Sequence, residues 1–122
     1  MVEPRAPKYQ RLRRVEALRE EIDVILEGEL ADPRIGLVAV SEVVLAPGGK
    51  TARVFVRVDG EEESDEQTLA GLNAAKGFVR HQLADRMGLR HPPELVFVID
   101  RSEQYKSRID ELLGRTRKRR KS

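Results

Sequence analysis

Apolar residues recur at helical spacing near the start of the chain and at strand spacing after it. Between Lys8 and Leu30, the residues Leu12, Val15, Leu18, Ile22, Ile25, Leu26 and Leu30 fall at steps of three and four. They mark one face of a helix about six turns long. Asp32-Pro33 ends it, because the residue before a proline is pushed out of the helical region. Gly36 to Leu45 reads as a strand, with Val38 and Val40 alternating against Ala39 and Ser41. Pro47-Gly48-Gly49 supplies turn chemistry. Thr51 to Val58 then alternates cleanly, with Ala52, Val54, Val56 and Val58 on one face and Arg53, Phe55 and Arg57 on the other. Such alternation buries one face and leaves the other wet, so helices are expected on one side of the sheet.

The second half opens with an acidic loop, Asp59 to Asp65. Ser64 and Gln67 stand three apart, the spacing of a capping box, and Leu69, Leu72, Val79, Leu83 and Met87 continue as a helical stripe. Ala75-Lys76-Gly77 interrupts that stripe. An interior glycine weakens a helix by about 1 kcal/mol relative to alanine. It therefore implies a kink, a close approach by another group, or small residues where a second helix packs. Gly88 and Pro92-Pro93 end the helix, and Leu95 to Ile99 follows as a buried strand. Ser102 can cap a last helix through Leu113, with Tyr105, Ile109, Leu112 and Leu113 along its apolar edge and Gly114 at its end. The predicted order is helix, strand, strand, kinked helix, strand, helix. It describes an α+β fold of two layers spanning residues 8–113, between a loose arm (1–7) and a basic tail (114–122).

The totals narrow the function classes. At 39% hydrophobic and 36% charged, 122 residues make one small, heavily charged domain. No run has the length of a membrane span, the start lacks a signal-peptide core, and zero cysteines suit a reducing compartment; cytoplasmic residence is the expectation. Arg115, Arg117, Lys118, Arg119, Arg120 and Lys121 carry six positive charges; taken from the net +2, they leave −4 for residues 1–114. That layout points to a polyanionic partner for the tail, or to a merely solubilising end.

Catalytic and metal chemistry find no support in the residues. His81 and His91 have neither cysteines nor an HExxH spacing around them, and the acidic loop lacks the ordered ligands of a calcium site. There is no G-x-S-x-G elbow and no phosphate-binding glycine loop. What remains is binding. Lys76 and Arg80 stand at i and i+4, and Arg86 and Arg90 extend the charge. A small-residue kink flanked by cations would admit a phosphate backbone close to the peptide amides. Arg11, Arg13 and Arg14 oppose the dipole at the start of the first helix, which makes them candidates for an external anion or members of a solvated face paired with Glu16 and Glu20.

The motifs Asp32-Pro33-Arg34-Ile35, Val40-Ser41-Glu42-Val43, Leu72-x-x-Ala75-x-Gly77-Phe78-Val79-Arg80 and Leu89-Arg90-x-x-Pro93-Glu94-Leu95-x-Phe97, in this order and spacing, resemble the ribosome-binding factor A family. The resemblance runs from Arg11 to Leu113. It implies a type II KH-like fold, with Ala75-Lys76-Gly77 standing where other KH domains carry a Gly-x-x-Gly backbone clamp. With the residues' lack of catalytic and metal chemistry, it implies a non-enzymatic factor without cofactor, metal, membrane or small-molecule substrate. A monomer is expected, because nothing suggests an obligate dimer. Such a factor binds free or immature 30S subunits through 16S ribosomal RNA, assists late assembly and 5′-end maturation, and takes part in cold adaptation. Lys76 departs from the serine common at the middle kink position, and Ala46 to Lys50 departs from the family's usual turn. A KH-like module that docks on another protein without touching RNA is the alternative.

Overall fold

The computed structural model describes residues 8–28, 33–102 and 109–114. Its elements are α1 (Lys8–Gly28), β1 (Val38–Leu45), β2 (Thr51–Val58), a 3-10 turn at Glu62–Ser64, α2 (Asp65–Ala74), α3 (Lys76–Met87) and β3 (Glu94–Ile99). Residues 109–114 are also helical. The sheet order is β1-β2-β3, with β2 antiparallel to β1 and parallel to β3. A parallel pair needs a crossover, which α2 and α3 supply. This is the α+β class that the periodicity predicts.

Alternation decides which residues meet. Leu18, Ile22, Ile25 and Leu26 of α1, Leu72 of α2, and Val79 and Leu83 of α3 are buried with the inward row of the sheet, which includes Val54, Val56, Leu95 and Phe97. The opposite row, with Arg53, Arg57, Val44 and Val96, is exposed. Burying each large aliphatic side chain contributes about 1.5–3 kcal/mol, so this single shared core is the main stabilising feature.

β1 departs from the expected strand in two ways. It begins at Val38, with Gly36 and Leu37 outside it. It also carries a bulge: Val40 pairs with Val56 while Glu42 pairs with Phe55, leaving Ser41 as the extra residue. The bulge reverses the phase, so that Val38 and Val40 face the core before it and Val43 after it. Ser41 Oγ lies 3.2 Å from the Phe55 carbonyl and 3.0 Å from Asp100 Oδ2, and the hydroxyl can donate to either. α1 closes the outer edge of the strand here. Val40 N–H donates to Asp23 Oδ1 (2.9 Å) and Arg19 Nη1 donates to the Val40 carbonyl (3.3 Å). An edge occupied in this way is a poor template for pairing with another chain.

The expected capping box does not form. Ser64 Oγ turns back to the Glu61 carbonyl (2.9 Å) and makes no cap bond to α2. The 3-10 turn has already placed that hydroxyl on the preceding residues. Arg101 anchors this end of the molecule instead, donating through Nε to Asp65 Oδ2 (2.9 Å) and through Nη2 to the Gly60 carbonyl (3.0 Å). β3 begins at Glu94, one residue earlier than expected. Leu30, Tyr105, the arm at 1–7 and the tail beyond Gly114 lie outside the described residues, as does the path of the last helix between Ser102 and Ile109.

Candidate nucleic-acid interface

The stretch expected to form one bent helix forms two. Ala75 has φ −90° and ψ 0°, and it serves as both the last cap of α2 and the first cap of α3. These angles fall in the sparsely used bridge region. The Ala75 amide is shared between the Gly71 and Leu72 carbonyls, at 3.1 Å each, and the Ala75 carbonyl accepts from Val79 N–H at 3.0 Å. Fully buried Leu72 and Val79 hold the two helices to the core on either side of the junction.

Lys76 opens α3 half-buried, and Gly77 and Phe78 follow in its first turn, both exposed. A Cβ built on Gly77 would meet nothing within 4 Å. Packing by a second helix therefore does not explain this glycine. Gly71 is the position where close approach is real. A Cβ there would lie 2.7 Å from Ile35 Cγ1, so α2 passes too near the segment before β1 to carry any side chain at that point. Phe78, 41% exposed, is a residue that the helical stripe left unassigned. Its signal was an aromatic side chain directly after the interrupting glycine, one step off the apolar face.

The cations predicted to flank the junction have different surroundings. Arg80 folds back onto the chain entering β3, donating through Nε to the Pro93 carbonyl (2.9 Å) and through Nη2 to the Pro92 carbonyl (2.8 Å). The same Nη2 lies 3.6 Å from Glu94 Oε2. Arg80 thus braces α3 against β3, and two of its donor groups are held in that role. Arg86 reaches across to α1, with Nη1 3.5 Å from Glu21 Oε1. Arg90 is exposed in the loop beyond Gly88, whose φ of 64° ends α3.

Arg13 and Arg14 are exposed on α1 and border grooves against β1. Arg13 shares its groove with Ser41, Glu42 and Val43; Arg14 shares another with Val43 to Gly49 at the β1–β2 turn. The side chain of Arg11 and residues 115–121 lie outside the described residues. Acids also stand around Arg101. Glu61 and Glu62 sit close enough to Arg101 to strengthen its hold on its proton, after the larger effect of the Asp65 hydrogen bond. That same bond holds the Asp65 carboxyl below its ordinary range. Among the described residues, no group of three or more His, Asp or Glu comes together in a way that could hold a metal ion.

Residues 10–113 match the family described as ribosome-binding factor A. The chain belongs to that family. It is 57% identical to the ribosome-binding factor A of Koribacter versatilis over 121 residues, 99% of this chain and 98% of the relative. It is 41% identical to that of Thermomicrobium roseum over 107 residues, covering 88% and 83% respectively. Among solved structures, the crystal structure of ribosome-binding factor A from Thermus thermophilus superposes with a TM-score of 0.66 at 28% identity, over 75% of this chain and 96% of the other. A homology model of the Thermus thermophilus factor, as fitted into a cryo-EM map of a 30S–RbfA complex, gives a TM-score of 0.56 at 31% identity over 79% of this chain and 97% of that one.

Proposed function

We propose that this member of the ribosome-binding factor A family is a non-enzymatic RNA-binding factor that engages free or immature 30S subunits through 16S ribosomal RNA. The observation that carries the reading is Gly77. A helix that accepts a cost of about 1 kcal/mol for a glycine with no internal neighbour leaves its backbone open for something outside the chain. Lys76 stands beside it with a flexible cation suited to a phosphate, and Phe78 offers a ring one position further on. In this reading the junction is a KH-like clamp in which Ala75, Lys76 and Gly77 meet the phosphate backbone.

Arg80 contributes charge to this face while its hydrogen bonds to Pro92 and Pro93 fix the angle of α3. Arg86 on α3 and Arg90 in the loop beyond it extend the field. Arg11, Arg13 and Arg14 and the 115–121 cations add sequence-independent attraction. The relatives' names and the 30S–RbfA fit support the choice of subunit. A cytoplasmic monomer that aids late subunit assembly, 5′-end maturation of the RNA and growth in the cold completes the proposal.

Lys76→Glu tests it. Binding to 30S subunits should weaken and lose about one unit of slope in log affinity against log salt. An unchanged slope and affinity would remove Lys76 from the interface. Salt-insensitive binding would favour a protein partner in place of RNA.

A further inference from the structure

β2 is the middle strand of the sheet, and its outward row is Arg53, Phe55 and Arg57. Helices α1, α2 and α3 pack their buried residues on the other face, so this row is presented away from the Ala75 junction's core layer. Both arginines are exposed, and Phe55 is half-buried. Arg53 Cζ stands 5.5 Å from the centre of the Phe55 ring, within cation–π range. The neighbouring strands extend this surface sideways. Arg53 is flanked by Val44 and Val96, 39% and 42% exposed, and Phe55 pairs with Val98 of β3.

An aromatic ring and valines left on an open sheet face add little to folding, since their burial is incomplete. The alternation of guanidinium, ring and guanidinium has a use outside the molecule. Every second residue of a strand is about 6.7 Å along from the last, so cation, stacking surface and cation are regularly spaced on one plane. Open sheets with basic and aromatic residues on a central strand take single-stranded RNA by this division of labour: bases stack on rings or guanidinium planes, and phosphates meet the charges. Glu42, opposite Phe55 on β1, makes that side unfavourable to a polyanion. The β3 side carries carboxylates on this face too, with Glu94 in register with Thr51 and Asp100 close enough to Arg57 for that charge to lower its pKa. A bound strand is thereby confined to the line of β2.

We propose that the open face of the sheet is a second RNA-contact surface, in which Phe55 stacks on an unpaired base and Arg53 and Arg57 meet the adjoining phosphates. The inference rests on the RNA-binding reading given above and adds a site on the opposite layer of the fold.

The test is ultraviolet crosslinking of the full chain to purified 30S subunits and to oligouridine, followed by trypsin. Cleavage after Arg53 and Arg57 releases Val54–Arg57, which should carry a nucleotide mass. Phe55→Leu keeps an apolar side chain and should weaken oligouridine and subunit binding roughly tenfold, at the low end of base-stacking losses, without changing the salt slope. The double variant Arg53→Gln/Arg57→Gln should lower that slope by about 1.4, the single-strand value for two lost phosphate contacts. Thermal unfolding of each variant establishes that it is folded.

Absence of the Val54–Arg57 adduct, with full affinity in both variants, would overturn the second site; a loss in Lys76→Glu alone would then leave the junction reading intact. If Lys76→Glu and both sheet-face variants all bind normally, both readings fail. Subunit binding lost in Phe55→Leu, with no adduct and unaltered oligouridine affinity, would make the face a protein contact and overturn the RNA assignment.

Discussion

Gly71 and Gly77 stand six residues apart in one helical stretch, and their surroundings are opposite. Gly71 faces Ile35 Cγ1, which a Cβ would approach to 2.7 Å; Gly77 faces open space. Gly71→Ala should therefore destabilise the protein by about 1–3 kcal/mol, the usual cost of overpacking, read from the urea unfolding midpoint. Gly77→Ala should do the reverse, adding up to about 1 kcal/mol by helix propensity while weakening 30S binding. Equal stability changes in the two variants would contradict the assignment. The sequence marks both glycines as out of place in a helix, but it does not say which one another group approaches. Ile35 is distant along the chain, and only the fold brings it to α2.

At the scale of elements, side chains tie segment ends together. Arg101 joins the end of β3 to the start of α2 through Asp65, and Arg80 joins α3 to the entry of β3. The Asp65 carboxyl is depressed from its ordinary value of 3.8 by the hydrogen bond from Arg101. A carboxylate depressed in the folded state contributes stability that is complete above its unfolded pKa and lost as pH falls through the folded one. The Asp65–Arg101 tie should thus be at full strength at neutral pH and fade below about pH 3.8. Asp65→Asn should lower the urea midpoint at pH 7 and make its decline shallower as pH falls below that value. A decline as steep as the parent's would move the acid sensitivity elsewhere. Asp100 is held low as well, first by the Ser102 side chain, and adds to the parent's decline. Arg80→Met, which keeps the stem but removes both carbonyl bonds, should cost about 1.5–3 kcal/mol in the same assay.

Most element positions follow from apolar period, because each period has one face to bury: α1, β2 and the α2–α3 stripe are legible in this way. The ties and the bulge are not. The bulge leaves only a change of phase between Val40 and Val43, which an unbroken run of apolar residues at Val43, Val44 and Leu45 obscures. Arg80 shows the same limit at the candidate site. Its spacing from Lys76 places both on neighbouring helical positions, but the carbonyls it binds come from a loop that returns only after α3 has ended.

Across the whole molecule, charge is mixed. Glu61 and Glu62 lie near Arg101 at the end of β3, and Glu16 and Glu42 line the groove of Arg13, whereas Arg14 and Arg90 are exposed and Lys76 is half-buried at the start of α3. The formal charge of residues 1–114 is negative, so any attraction to a polyanion must come from such local faces and from the tail. The most direct test of the central claim, that the Ala75–Gly77 junction is the specific contact, is cosedimentation with free 30S subunits across a range of salt. The full chain, Lys76→Glu, Gly77→Ala and a chain ending at Gly114 would be compared. Steeply salt-dependent binding should survive removal of residues 115–122 and weaken in both junction variants. Binding that vanishes with the tail, or that ignores both junction variants, would contradict the claim.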